Sequence, residues 1–196
     1  MRVLVRELIE TVILALLIFL VLQFSVQNFR VEGSSMESTL EEGDYLLVNK
    51  MVYFRISPED FNTFFPFLDE REESLYAFHQ PRFGEIVIFH YPRDPSRDFV
   101  KRVIGVPGDE VEIRNGQVYL NGEALDETYV DRADRGSMEP TIVPPDSYFV
   151  LGDNRRASND SRDWGFVPSE QMIGRAWIGY WPADQIRTLN LWGGWF

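Results

Sequence analysis

The chain has 196 residues, enough for one folded domain and an appendage but not for two large catalytic domains. Its 31 acidic residues against 19 basic ones give a net charge of −12 with no basic run, which argues against nucleic acid as a partner. The absence of cysteine removes disulfide scaffolds, thiolate zinc sites, iron–sulfur clusters and cysteine nucleophiles together.

Residues 12–22 (VILALLIFLVL) are all apolar, inside a mostly apolar stretch from Leu8 to Val26. Nineteen helical residues span about 28 Å, which matches a hydrocarbon core of about 30 Å. A removed signal peptide would end in small residues suited to cleavage, whereas this stretch runs on through Gln23, Phe24 and Ser25 to Phe29. An interfacial helix would need a polar face, and residues 12–22 have none. The reading is a single retained span, with residues 1–28 forming a short N-terminus and anchor. Arg2 and Arg6 precede the span, so the positive-inside rule puts the N-terminus in the cytoplasm and residues 29–196 outside it.

From Phe29 onward the pattern is β-rich, short runs broken by turn residues, and it predicts a mainly β domain. The expected strands are 29–32, 44–49, 85–91, 99–106, 110–114, 117–120, 148–151 and 175–181. Asn115-Gly116 is a strong hairpin signal, and Asn121-Gly122 marks a second turn. Residues 55–80 and the flanking Phe54 are aromatic-rich without a strand pattern and read as an insertion. Its rings either rest on a bilayer interface or cap the core, and the same choice applies to Trp192, Trp195 and Phe196.

Conventional catalytic sets are missing. His79 and His90 have no metal-ligand spacing, and neither a P-loop nor a GxSxG elbow occurs. Asn159-Asp160-Ser161 fits the glycosylation pattern, a weak three-residue signal. A serine can instead be activated by a lysine that burial keeps neutral. Seventeen of the basic residues are Arg, which leaves only Lys50 and Lys101. Strand alternation puts Lys101 on one face with Phe99 and Val103, while Lys50 ends a strand and projects to water. Two serines sit in similar settings, GSSMESTL at 33–40 and GSMEPTI at 136–142. The first follows the span closely, where a membrane-bound substrate would be presented.

The blocks FRVEGSSMESTLEEGDYLLVNK (29–50), GEIVIFHYP (84–92), RDFVKRVIGVPGDEVEI (97–113) and GDNRRASNDSRDWGFVP (152–168) follow one another in an order that resembles bacterial type I signal peptidases. These are membrane-anchored Ser/Lys proteases that cut signal peptides from exported preproteins. The resemblance implies an all-β catalytic domain of the signal-peptidase/SOS-repressor-like kind, in a bacterial cell membrane, acting without metal or cofactor. It implies Ser35 as nucleophile, Lys101 as general base and Ser158 as a hydroxyl that orients the lysine amine. Asp153, Asp160 and Arg162 match residues that hold the last block in shape. Phe29, Val31, Met36, Leu40, Ile88, Phe99 and Val100 match positions lining the apolar pockets for small side chains at −1 and −3 of the cleavage site.

Two departures stand out. Ser38 replaces the proline of the family's S-M-x-P-T-L, which the 136–142 copy retains at Pro140. Gly33 replaces a serine that in some members completes the oxyanion hole, shifting that work to the Ser35 N–H, with Ser34 or water as a substitute donor. A non-catalytic, membrane-tethered peptide-binding module is the rival reading. A self-cleaving protease of the SOS-repressor kind fits less well, since those carry a DNA-binding segment in place of a span.

Overall fold

The computed structural model describes residues 2–67, 75–131 and 134–189, so the aromatic C-terminus from 190 and residues 68–74 of the insertion lie outside the described residues. Helix α1 (Arg2–Ser25) contains a 20-residue stretch, Arg6–Ser25, with mean hydropathy 2.4 and none of it buried against the protein. The chain passes directly from α1 into strand β1 (Val26–Arg30), which begins three residues before the expected strand. The Ser25 carbonyl accepts a hydrogen bond from Lys50 N at 2.8 Å, tying the base of the apolar helix to the end of β2 (Tyr45–Asn49).

The insertion has order that its sequence did not reveal: β3 (Arg55–Ile56), α2 (Pro58–Phe64) and β4 (Leu75–Tyr76). Ser57 caps α2 by accepting from Asp60 N, and Pro58 occupies the first turn, where it gives up no hydrogen bond. Phe61 is buried, but Phe54, Phe64, Phe65, Phe67 and Phe78 are 40–78% exposed. Tyr76 packs against the core, while Phe61 is buried beside Phe65 within the insertion.

The remaining strands are β5 (Ile86–Tyr91), β6 (Asp94–Gly105), β7 (Glu110–Arg114), β8 (Gln117–Leu120), β9 (Glu123–Ala124), β10 (Met138–Ile142), β11 (Ser147–Leu151), β12 (Val167–Pro168), β13 (Met172–Trp181) and β14 (Arg187–Thr188), with the short helix α3 (Ser161–Trp164) before β12. Every expected run overlaps a strand, and residues 31–32, 44, 85 and 106 of those runs fall outside. β6 starts five residues earlier than expected, through Pro95, because over that length it pairs with β5 alone and needs no donor on its other side. β10 was hidden by Pro140, which falls where the register with β7 slips between Met138 and Thr141. The β7–β8 turn has Asn115 and Gly116 at φ of 50° and 86°, the left-handed pair that an Asn-Gly hairpin requires.

The main sheet runs β1-β2-β13-β5-β6-β11-β12, with β14 paired to β13, and a smaller sheet runs β10-β7-β8-β9. Both faces of β5 are covered. Ile86 and Ile88 join Val31, Met36, Leu40, Leu46 and Val48 in one cluster, while Val87 and Phe89 join Tyr53, Val103, Tyr148 and Val150 in another. A third cluster, including Ile104, Val111, Ile113 and Phe149, binds the small sheet to the large one.

One buried carboxylate fastens the insertion to this framework. Glu85 accepts from Tyr53 Oη (2.7 Å), Arg175 Nη1 (2.8 Å) and Arg82 N (3.0 Å), and pairs with His79 Nε2 (2.8 Å). Glu85→Ala would leave these donors facing apolar atoms. The expected result is a loss of about 3 kcal/mol, read as a lowered denaturation midpoint of the full-length protein in detergent.

Candidate active site

Ser35 lies in the turn that follows β1, half-buried, and Lys101 lies near the end of the free length of β6 at 3% exposure. The two come from strands at different places in the sheet, yet Lys101 Nζ donates to Ser35 Oγ at 2.7 Å. A second ammonium proton goes to Val100 O at 2.9 Å, and the Phe99 ring lies 5.3 Å from Nζ. Burial lowers the Lys101 amine from its usual range to about 8; the Asp160 and Asp153 carboxylates oppose this, and the Arg162 guanidinium assists it.

Those carboxylates do not outweigh burial to hold the amine protonated, because each is already paired. Asp153, fully buried, accepts from Arg102 Nε (2.8 Å) and Nη2 (2.6 Å) and from Thr39 Oγ1 (2.5 Å). Asp160, also fully buried, accepts from Arg162 Nε and Nη2, both at 2.8 Å, and from Gly152 N at 3.0 Å. It also caps α3. Strand alternation is what separates the charges: Lys101 points one way from β6 and Arg102 the other.

Ser158 Oγ is buried here without a hydrogen bond, and the lysine amine is oriented by Val100 O instead. The hydroxyl is nonetheless part of the site. A Cβ on Gly152 would sit 2.2 Å from Ser158 Oγ and 2.5 Å from Ser35 O, so the chain passes here only because residue 152 has no side chain.

The pocket residues divide. Val31, Met36, Leu40 and Ile88 are at most 2% exposed and belong to one core cluster, with the partly buried Phe29 and Val100 packed against it. Phe99 is also partly buried but packs on the other cluster, across β5. Phe99 stacks on Tyr91 at 4.5 Å, a partner that sequence reading did not single out.

The two departures have structural explanations. Ser38 has φ of 83°, which proline cannot adopt, and its hydroxyl donates to Tyr129 O at 2.5 Å. Gly33 has φ of 78°, a conformation that a serine would hold only under strain. Ser34 is half-buried, and its carbonyl accepts from Asn154 Nδ2. The second serine is elsewhere: Ser137 Oγ accepts from Asn115 N at 3.1 Å, steadying the β7–β8 hairpin. Lys50 is exposed, His90 pairs with Asp98 at the surface, and the Ser161 hydroxyl of the glycosylation pattern is buried, accepting from Val150 N.

The family model for signal peptidase, peptidase S26, matches residues 5–181. The chain belongs to this family. It is 36% identical over 191 residues to the probable signal peptidase I-2 of Synechocystis, covering 94% of this chain and 77% of the relative. It is also 36% identical to signal peptidase I of Bacillus caldolyticus, covering 83% of each. A solved signal peptidase I from Enterococcus faecalis is 34% identical and covers 49% of this chain and 96% of its own, with a TM-score of 0.45.

Sequence reading did not single out Asn154, Thr39, Arg102, Arg155 or Tyr129 for this S26 peptidase. Arg155 donates to Gly152 O at 3.1 Å and pairs with Glu127, and the Arg102 guanidinium lies 4.0 Å over the Tyr129 ring. Asn154 and Arg155 stand inside the GDNRRAS block, so proximity to matched residues was the available signal. Gly152→Ala is expected to abolish cleavage while retaining most of the thermal stability, because its Cβ would displace both Ser158 and the Ser35 turn. Activity and melting temperature measured on one preparation check this.

Proposed function

We propose that the protein removes signal peptides from exported preproteins, with Ser35 as nucleophile and Lys101 as general base. The observation that carries this is the 2.7 Å contact between Nζ and Ser35 Oγ, made by an amine that burial has lowered to about 8. Ser35 Oγ attacks the carbonyl carbon of the residue at −1 as its proton passes to neutral Lys101, which then protonates the leaving amine. Water hydrolyses the acyl-enzyme, with Lys101 again accepting a proton. No step requires a metal or cofactor. A module that only bound peptides would bear the cost of desolvating this amine without benefit.

Two open strand edges support the way a substrate would lie. Among the described residues β1 pairs only with β2, and residues 94–101 of β6 pair only with β5, since β11 meets β6 at Arg102, Val103 and Gly105. An extended preprotein segment adds to these edges by main-chain hydrogen bonds. Phe29 and Val100, partly buried against the packed cluster of Val31, Met36, Leu40 and Ile88, then leave room for small side chains at −1 and −3 and exclude bulky ones.

The apolar helix anchors the protein in the bilayer, with Arg2 and Arg6 on the cytoplasmic side. Because Ser25 is bonded to Lys50, Phe54 and the exposed rings of the insertion begin close to the end of the span and rest on the lipid interface. The net charge of −12 disfavours nucleic acid as a partner.

In detergent, cleavage of a test preprotein ending in Ala-x-Ala is expected to be lost in Ser35→Ala and Lys101→Ala and kept in Ser137→Ala. Lys101→Arg is expected to be inactive, since a guanidinium stays protonated. The amine must be neutral to act, so kcat/KM should rise with pH through about 8 and level off above it. A flat profile from pH 6 to 10 would count against Lys101 as base. The double variant Phe64→Ser/Phe67→Ser is expected to cut a short peptide in detergent normally but to process a preprotein in lipid vesicles several-fold more slowly.

A further inference from the structure

Ser34 and Ser35 share one peptide group: its carbonyl belongs to Ser34, and its N–H is the Ser35 N–H that faces the developing oxyanion if Ser35 is the nucleophile. No acceptor among the described residues takes that N–H. The carbonyl, in contrast, is held twice, by Glu37 N at 3.1 Å and by Asn154 Nδ2 at 3.1 Å. The next carbonyl, Ser35 O, accepts from Asn154 N at 3.0 Å. A single residue therefore grips the peptide groups on both sides of the Ser35 Cα.

Asn154 is 2% exposed, and its Nδ2 also reaches Glu37 Oε2 at 3.2 Å. Turning the amide over would set Oδ1 against Ser34 O and the Glu37 carboxylate, a cluster of acceptors with no proton between them. The neighbours thus dictate that the NH2 end faces the nucleophile turn, while Oδ1 is buried with no partner. This arrangement serves the turn more than it serves the asparagine.

We propose that Asn154 is a positioning residue for the oxyanion hole. Its bond to Ser34 O fixes the plane of the Ser34–Ser35 peptide and polarises it, so that the Ser35 N–H is aimed in advance and donates more strongly. The preceding residue makes such a clamp necessary. Gly33, at φ of 78°, neither restrains that peptide with a side chain nor supplies a hydroxyl donor of its own.

The inference rests on Ser35 as nucleophile, and the test separates the two. Full-length wild type, Asn154→Asp and Asn154→Ala in detergent are compared for preprotein cleavage, for inhibition by a peptide aldehyde ending in Ala-x-Ala, and for binding of the same peptide as its C-terminal amide. The aldehyde is a transition-state probe: Ser35 Oγ bonds to its carbonyl carbon, the hydroxyl proton passes to Lys101, and the carbonyl π pair becomes the oxyanion. The amide forms no oxyanion and reports folding and groove binding alone.

The expected result is a fall in kcat of about tenfold to a hundredfold with KM and amide affinity unchanged within about twofold. The aldehyde inhibition constant should rise by the factor by which kcat/KM falls, and in Asn154→Ala, which adds no charge, the rising pH limb should stay at its wild-type position. The proposal is overturned if the limb of Asn154→Ala moves, if amide affinity falls together with rate, or if aldehyde inhibition is unaffected. Should wild type itself neither cut nor bind the aldehyde, the assignment of Ser35 fails instead.

Discussion

Lys101 occupies a space too apolar to favour an ammonium, and its main partner there is the Ser35 hydroxyl, a neutral group that does not hold its charge. Much of the surrounding polar order follows from keeping carboxylates from capturing the proton. Asp153 and Asp160 are both completely buried and close enough to pull on the amine, yet Arg102 and Arg162 have claimed them. An unpaired carboxylate at either place would turn a base into half of a salt bridge. The arginine-rich composition has a use here, because a guanidinium binds two carboxylate oxygens at once and stays charged when buried.

The segment from Gly152 to Arg162 does most of this holding. Gly152 lets the chain pass between Ser158 and Ser35, and Asp153 orders Arg102 and Thr39. Asn154 holds the Ser35 turn, Arg155 returns to the Gly152 carbonyl, and Asp160 closes the loop through Gly152 N. The site is therefore a contact between two turns, 33–40 and 152–162, across one strand end. At the other end of β1, the direct passage from helix to strand and the Ser25–Lys50 bond fix how far this contact stands from the end of the apolar helix.

Legibility followed the range of the interactions. The β5 and β6 runs, the Asn-Gly hairpin and the apolar span are local patterns, and they appeared where the sequence set them. β10 was missed because a proline masked a bulged edge pairing, and α2 because its cap and aromatic content looked like a loop. At the site, alternation along β6 singled out Lys101 as the buried lysine, whereas Val31, Met36, Leu40 and Ile88 proved to be core residues. Ser38 looked like a defect in a motif. Its positive φ and its bond to Tyr129 O make it an alternative way of turning the chain, a distinction that lives in backbone torsion and not in composition.

The sequence by itself determined the family, the apolar helix, the mainly β fold and the identity of the candidate lysine, because each depends on residues within a few positions of one another or on blocks in a fixed order. Only the tertiary structure decided which serine meets that lysine, which carboxylates are neutralised, and that Asn154 spans the peptides around Ser35. Apart from the Asp160–Arg162 pair, those are distances between groups 51 to 120 positions apart, set by how β1, β6 and the 152–162 loop converge. Periodicity and composition say which groups are buried, and packing alone says what each buried group faces.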